Sequence, residues 1–153
     1  MTTSNVKDTL NEIHSGLASA IAGTGKPASS VYKGQKKELK GESPAVLVMF
    51  SGVQRSLAGV GTQLYENKFD IEVQYLVYNG SEDNPLDEDE REDALADCEA
   101  AAAAWFVANL RGTYYRSLTY TPTQAQVIPI KYIDGNPYLM LSALVTVERR
   151  DTA

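Results

Sequence analysis

The chain has 153 residues, of which 43% are hydrophobic and 22% charged, and its formal net charge at pH 7 is -6. This length and composition are typical of a globular protein with one continuous core, so we expect residues 1–153 to form a single domain. An acidic chain of this kind is unsuited to coating nucleic acid, which requires a basic face. The single cysteine excludes an internal disulfide.

The N-terminal sequence contains no secretory signal, because no basic start is followed by an apolar stretch. No apolar run reaches the ~20 residues that a membrane-spanning helix needs. We therefore expect synthesis in the cytoplasm and no association with a membrane.

The first periodic segment predicts an amphipathic helix that ends before Gly23. Its apolar residues recur three or four positions apart: Val6, Leu10, Ile13, Leu17 and Ile21. The polar and basic segment "VYKGQKKELK", residues 31–40, follows a loop and is interpreted as an edge strand or a mobile arm.

The stretch "SPAVLVMFSG", residues 43–52, contains a continuous apolar run without alternation. Such a run, bounded by Pro and Gly, predicts a strand that is covered on both faces. We expect it to form the middle of the sheet, with a helix on one face and another protein surface on the other. Residues 53–66 contain Gly59 and Gly61 and are predicted to be an irregular connection.

The next two elements differ sharply in pattern. Alternation in "NKFDIEVQYLVYNG", residues 67–80, predicts a strand whose apolar face holds Phe69, Ile71, Val73, Tyr75 and Val77. Residues 87–110 predict a long helix with acidic residues in its first turns, where the helix dipole favours negative charge. Its apolar side is predicted to hold Leu95, Cys98, Ala102, Trp105 and Asn109 or Leu110, with Trp105 as the anchor on the sheet.

The pair Asp134-Gly135 predicts a hairpin turn between two final strands. Apolar residues on one face of the last strand, Leu139, Leu141, Ala143, Val145 and Val147, are expected to match Ile128, Ile130 and Tyr132 of its partner. Together these elements predict an α+β fold, a mostly antiparallel sheet with an N-terminal helix and a long central helix packed on it.

No pattern in the sequence predicts catalysis, a cofactor or a metal ion. His14 is interpreted as a surface residue of the first helix and Cys98 as a small buried side chain. The glycines of "AGTGKP" and "AGVGTQ" lack the spacing of phosphate-binding and dinucleotide-binding loops. The acidic run lacks the glycine that a calcium-binding loop requires.

Charge is distributed unevenly along the chain. Residues 79–153 carry six Lys/Arg and thirteen Asp/Glu. One interpretation is that a basic and an acidic segment only keep the protein soluble; the other is that they meet between neighbouring copies in a head-to-tail ring. The basic residues are Lys33, Lys36, Lys37 and Lys40, and the acidic residues are Glu82, Asp83, Asp87, Glu88 and Asp89. On the second interpretation, reversing the charge of Lys36 and Lys37 weakens self-association more at low salt than at high salt.

The order of these elements resembles the tail terminator, or tail completion, proteins of long-tailed bacteriophages, especially Mu-like ones. The resemblance rests most specifically on residues 43–52 and 69–80 and covers nearly the whole chain as an order of elements. It implies a non-enzymatic subunit of a hexameric ring at the head-proximal end of the tail tube. The implied partners are further copies, the tail tube protein, the head connector or neck protein and the tail sheath protein, with DNA passing through without specific binding.

Two alternatives stay open at this point. The chain is a head-to-tail connector or neck protein of similar size, or it belongs to another class, a small-ligand-binding α+β domain. The second alternative uses Tyr114, Tyr115, Arg116 and Tyr120, because aromatic side chains beside arginine bind ligands.

Overall fold

The computed structural model describes residues 6–34, 39, 42–57, 64–79, 88–122 and 129–152. Within these residues the elements follow in the order α1 (Val6–Ile21), β1 (Ser30–Lys33), β2 (Ala45–Leu57), β3 (Leu64–Tyr78), α2 (Glu88–Ala108), β4 (Ser117–Pro122), β5 (Ile130–Ile133) and β6 (Asn136–Thr152).

The strands form one sheet in the order β1-β2-β3-β6-β4, and β5 pairs with β6 as a hairpin. β1 runs parallel to β2, and the other described pairs are antiparallel. The fold is therefore α+β with a mostly antiparallel sheet and an N-terminal helix, as predicted. The middle strand is β3, so the expectation that residues 45–50 occupy the middle of the sheet is wrong; β2 lies one strand from the edge.

The main core lies between the sheet and the two helices. On α1 the predicted Ile13, Leu17 and Ile21 are buried and the predicted Leu10 is half-buried, whereas Thr9, which the spacing does not predict, is also buried. On α2 the predicted Leu95, Cys98 and Ala102 are buried, but the aromatic residue at the core is Phe106, which is fully buried. Neighbouring residues of a helix point about 100° apart, so Phe106 faces the sheet while Trp105 turns toward α1.

The apolar run of β2 is covered on both faces, as predicted. Val46 and Val48 belong to the main core, whereas Leu47 and Met49 belong to a second apolar cluster on the opposite face of the sheet. That cluster also contains Leu39, Ala45, Leu76, Ile133 and Tyr138. This chain therefore supplies the cover on the second face itself, where the sequence suggested another protein.

The prediction of an irregular connection between β2 and β3 is wrong. Residues 53–57 and 64–66, predicted to be irregular, continue the two strands, which pair from Val53↔Phe69 to Leu57↔Tyr65 after a register shift between Phe50 and Gly52. The remaining residues 58–63 lie outside the described part. Pairing of β3 with β6 as far as Leu64↔Thr152 supports this extension, and no local pattern in residues 53–57 shows it.

The C-terminal strands contain a second difference. Asp134 and Gly135 have positive φ values of 51° and 77°, which confirms the predicted turn. However, Ile130 and Tyr132 are 49% and 68% exposed, and Ile133 is the buried residue of β5, so the predicted apolar face is wrong. Ile128 lies outside the described residues. Ile133 belongs to the second cluster, and along a strand it points to the face opposite to that of Ile130 and Tyr132. Strand β4 is an additional element of the sheet, since only two strands were predicted after the long helix.

Candidate functional site: an arginine-lined cavity

The charged residues predicted to form an interface are only partly described. Lys33 is the last residue of β1, and its Nζ donates a hydrogen bond to Asn11 Oδ1. Glu88 and Asp89 begin α2. The other predicted residues, Lys36, Lys37, Lys40, Glu82, Asp83 and Asp87, lie outside the described residues, so the basic-to-acidic contact stays a prediction.

The N-terminal half of α2 carries a further set of acidic side chains at its surface. Glu90, Glu92, Asp93 and Asp97 are all exposed, and three of them, at positions 90, 93 and 97, share one side of the helix by spacing. Arg91 lies between them in sequence but donates a 2.9 Å hydrogen bond from Nη1 to Asn79 Oδ1. This end of α2 therefore presents a negative surface.

A cavity of about 380 Å³ opens at the other end of the same helix. Its lining residues come from the loop after α2 and from the end of β6: Arg111, Gly112, Thr113, Tyr114, Tyr115, Arg116 and Arg149. Three of the seven are arginines and none is acidic. The side chains that line the cavity thus carry only positive charge, although the chain as a whole is negative.

The loop that forms this cavity is held against α1 by hydrogen bonds. The Glu12 carboxylate accepts the backbone N–H of Thr113 at 2.8 Å and that of Tyr114 at 3.2 Å. Thr9 donates its hydroxyl to the carbonyl oxygen of Tyr114 at 3.0 Å. At the far end the N–H of Arg116 donates to the carbonyl oxygen of Glu148 at 2.9 Å. These contacts fix the loop before any partner binds.

A glycine is required inside this loop. A Cβ on Gly112 would lie 1.8 Å from Glu12 Oε1 and 2.4 Å from Tyr115 Cε1, closer than any side chain tolerates. Its N–H donates to the carbonyl oxygen of Tyr115, and the Tyr115 hydroxyl donates to the carbonyl oxygen of Asn109. Burial, with the Glu12 charge nearby, raises the pKa of Tyr115 to about 12, so this phenol remains a neutral donor at physiological pH.

The arginines differ in exposure. Arg149 is only 5% exposed and donates from Nη1 to Thr9 Oγ1 at 3.0 Å. The Arg116 side chain is 45% exposed, and its Nη2 lies 3.9 Å from Glu148 Oε2. Arg111 is exposed. Arg149 therefore forms the floor of the cavity, and the other two lie where a partner can reach them.

Three of the four residues considered for ligand binding meet at this cavity, namely Tyr114, Tyr115 and Arg116. Tyr120 does not, because it lies on β4 and stacks on Phe106 with 5.0 Å between ring centroids. Arg149 is the residue that sequence reasoning missed, and it lies more than thirty positions from the loop. The one local signal was the cluster "RGTYYR", residues 111–116, which contains two of the three arginines.

Several other polar groups of the core have structural partners. Glu99 accepts the Tyr120 hydroxyl at 2.9 Å, so the Tyr75 hydroxyl, 2.9 Å from that of Tyr120, is the donor between the two phenols. Cys98 is buried as predicted, and desolvation raises the pKa of its thiol to about 12. His14 is half-buried, and its Nε2 donates to the carbonyl oxygen of Val31 on the edge strand, so it joins α1 to β1.

Among the described residues, large apolar side chains are exposed on β2, at the end of α2 and in the loop after it, on β5 (Ile130 and Tyr132) and on β6 (Leu144). Phe50 and Val53 are 47% and 48% exposed on β2, beyond the last residue of that strand that pairs with β1, Val48. Val107, Leu110 and Tyr114 are exposed at the end of α2 and in the cavity loop. The group on β2 and the group at the end of α2 lie toward opposite edges of the sheet, since the end of α2 packs on β4 through Phe106 and Tyr120.

No protein-family model matches the sequence, and no curated protein matches it. Among the described residues, no group of three or more His, Cys, Asp or Glu side chains is placed to hold a metal ion. Neither described helix combines the length and the apolar composition needed to cross a membrane.

Proposed function

We propose that this chain is a structural virion protein that forms a hexameric ring at the head-proximal end of a phage tail tube. The ring ends polymerisation of the tube and provides the surface on which the head connector docks. The subunits are made in the host cytoplasm, contact the tube protein on one face of the ring and have no catalytic role. The resemblance of the element order to tail terminator proteins is the starting point of this proposal.

The observation that carries the proposal is the pair of exposed apolar groups at opposite edges of the sheet. Monomeric proteins seldom expose large apolar side chains in clusters, and such clusters commonly mark contact surfaces. When the two complementary surfaces of a subunit are different, repeated association is head-to-tail and closes into a ring if the rotation permits. One exposed apolar patch, the β2 patch, consists of Phe50 and Val53, and the other consists of Val107, Leu110 and Tyr114. Two different patches on one subunit support head-to-tail assembly.

The β2 patch also offers backbone groups to a neighbour. Among the described residues β1 pairs with β2 only as far as Val48, and no described strand pairs with that side of residues 49–53, where Phe50 and Val53 are exposed. Phe50 pairs with Ile71 and Val53 pairs with Phe69, which places both exposed side chains on the helix-covered face of the sheet. An open edge with apolar side chains is a site for pairing with another chain.

The proposal is tested first in the phage that encodes the chain. Deleting the gene is expected to give tails whose tubes have uncontrolled length, measured by electron microscopy of lysates. Unattached tails of normal length would instead assign the chain to the connector or neck. Normal infectious particles would contradict both assignments.

A second prediction tests the role of the β2 patch with the purified protein. Replacing Phe50 and Val53 together by Gln is expected to abolish rings on tube ends, counted by negative-stain microscopy, while leaving the fold intact. Leu144→Gln is the matched control, because Leu144 is 41% exposed on the other face of the sheet, where it pairs with Glu72. Equal loss of rings in the control, or no loss in the double variant, would contradict a role for the β2 patch.

A further inference from the structure

We infer that the arginine-lined cavity receives the exposed carboxylates of α2 from a second copy of this chain. The inference rests on the proposed ring and adds charged residues to its subunit contact. It differs from the sequence-based expectation, which assigned the basic side of the contact to Lys33, Lys36, Lys37 and Lys40.

The first argument is the position of opposite charges along one helix. α2 has 21 residues, so its ends are about 30 Å apart. Asp93 and Asp97 lie on the exposed side of its N-terminal half, and Arg111 and Arg116 lie in the loop after its C-terminal end. A subunit that is negative at one end of a helix and positive at the other is complementary to a copy placed head-to-tail.

The second argument is the chemistry of the cavity. Guanidinium groups bind carboxylates in a planar, two-bonded geometry that lysine cannot provide. Protein interfaces are enriched in Arg and Tyr, and both line this cavity, with Leu110 and Tyr114 exposed beside it. The loop already binds carboxylates of its own chain, since Glu12 accepts two of its N–H groups and Glu148 lies beside Arg116.

The third argument is preorganisation. Hydrogen bonds from α1 and β6 hold the loop in place, and the buried Arg149 forms the cavity floor through its bond to Thr9. A binding surface that is fixed before association loses less conformational entropy when a partner binds. Residues 111–116 therefore form a binding surface whose conformation is fixed before a partner is present.

The test reverses charge on each side separately. Arg111→Glu with Arg116→Glu, and Asp93→Lys with Asp97→Lys, are each expected to raise the apparent Kd of self-association at least about tenfold at low salt. Sedimentation velocity at 50 mM and 500 mM NaCl measures this. The wild-type protein itself is expected to associate less at the higher salt, because screening weakens the contact. Circular dichroism checks that each variant is folded.

The decisive measurement mixes the two variants. In a head-to-tail contact the reversed cavity of one variant faces the reversed helix of the other, so an equimolar mixture is expected to regain association. Lys36→Glu with Lys37→Glu is the matched control, since it changes the net charge by the same amount on the other candidate segment. A mixture that stays dissociated overturns the inference, as does an arginine variant that associates like the wild type or a wild-type protein that is monomeric at low salt. The proposed function survives all three results if gene deletion still gives tubes of uncontrolled length.

Discussion

At the scale of single residues, one close contact between the helices depends on the absence of a side chain. Gly16 of α1 lies against the indole of Trp105, and a Cβ added there would come within 2.4 Å of Trp105 Cζ2. The sequence could not identify this contact, because it shows Gly16 only as a helix residue of poor propensity and Trp105 only as a large apolar side chain. What decides their roles is the close approach of α1 to α2, and that is a tertiary property.

We predict that Gly16→Ala destabilises the protein by about 1–3 kcal/mol, although alanine favours a helix over glycine by about 1 kcal/mol. The indole must move or distort, and it packs edge-on against Phe106 with ring centroids 5.1 Å apart. Urea unfolding measures the difference. Gly52→Ala is the matched control, since a Cβ at Gly52 meets nothing within 4 Å. If the clash is the cause, Gly16→Ala becomes neutral or stabilising in a Trp105→Ala background; an unchanged penalty there would refute it.

At the scale of elements, the sequence predicted those whose pattern is local and missed those that depend on a partner. β3 alternates along its buried part, and α1 has regular apolar spacing, so both were predicted. Residues 53–57 were missed because β3 holds them in register, and β3 in turn pairs with β6, which is distant in sequence. The candidate site is equally hard to predict, because its residues come from parts of the chain that are distant in sequence. The sequence indicates Tyr114, Tyr115 and Arg116 of its loop, but only the pairing of β6 in the sheet brings Arg149 beside them.

The β5–β6 hairpin provides a prediction at this scale. Ile133→Ala is expected to destabilise the protein by about 2–4 kcal/mol, because Ile133 is 5% exposed in the second apolar cluster. Tyr132→Ala, one position earlier and 68% exposed, is expected to change stability by less than about 0.5 kcal/mol. Chemical unfolding of both variants compares them. The reverse order would mean that the side chain of Tyr132, and not that of Ile133, is buried.

At the scale of the whole molecule, burial stabilises the protonated form of three ionisable side chains in the core. Burial raises the pKa values of Tyr75 on β3, Tyr120 on β4 and Cys98 on α2, three side chains that lie near one another in the core. In the unfolded chain a cysteine loses its proton near pH ~8.5 and a tyrosine near pH ~10. The folded protein therefore keeps protons that the unfolded chain releases, so its stability falls as the pH rises.

We predict that the ionisation of these groups leaves the free energy of unfolding unchanged below about pH 8 and lowers it as the pH rises from there toward 12. Each such group contributes a slope of up to about 1.4 kcal/mol per pH unit between its unfolded and folded pKa values, and that of Cys98 is about 12 when folded. Cys98→Ala is expected to be less stable than the wild type at pH 7, because it leaves a small cavity, but to lose stability less steeply above pH 8.5 or so. Tyr75→Phe should flatten the curve only above about pH 10, where free tyrosine ionises. Urea unfolding at a series of pH values measures all three curves, and parallel curves for wild type and variants would show that the burial of these groups does not control alkaline stability.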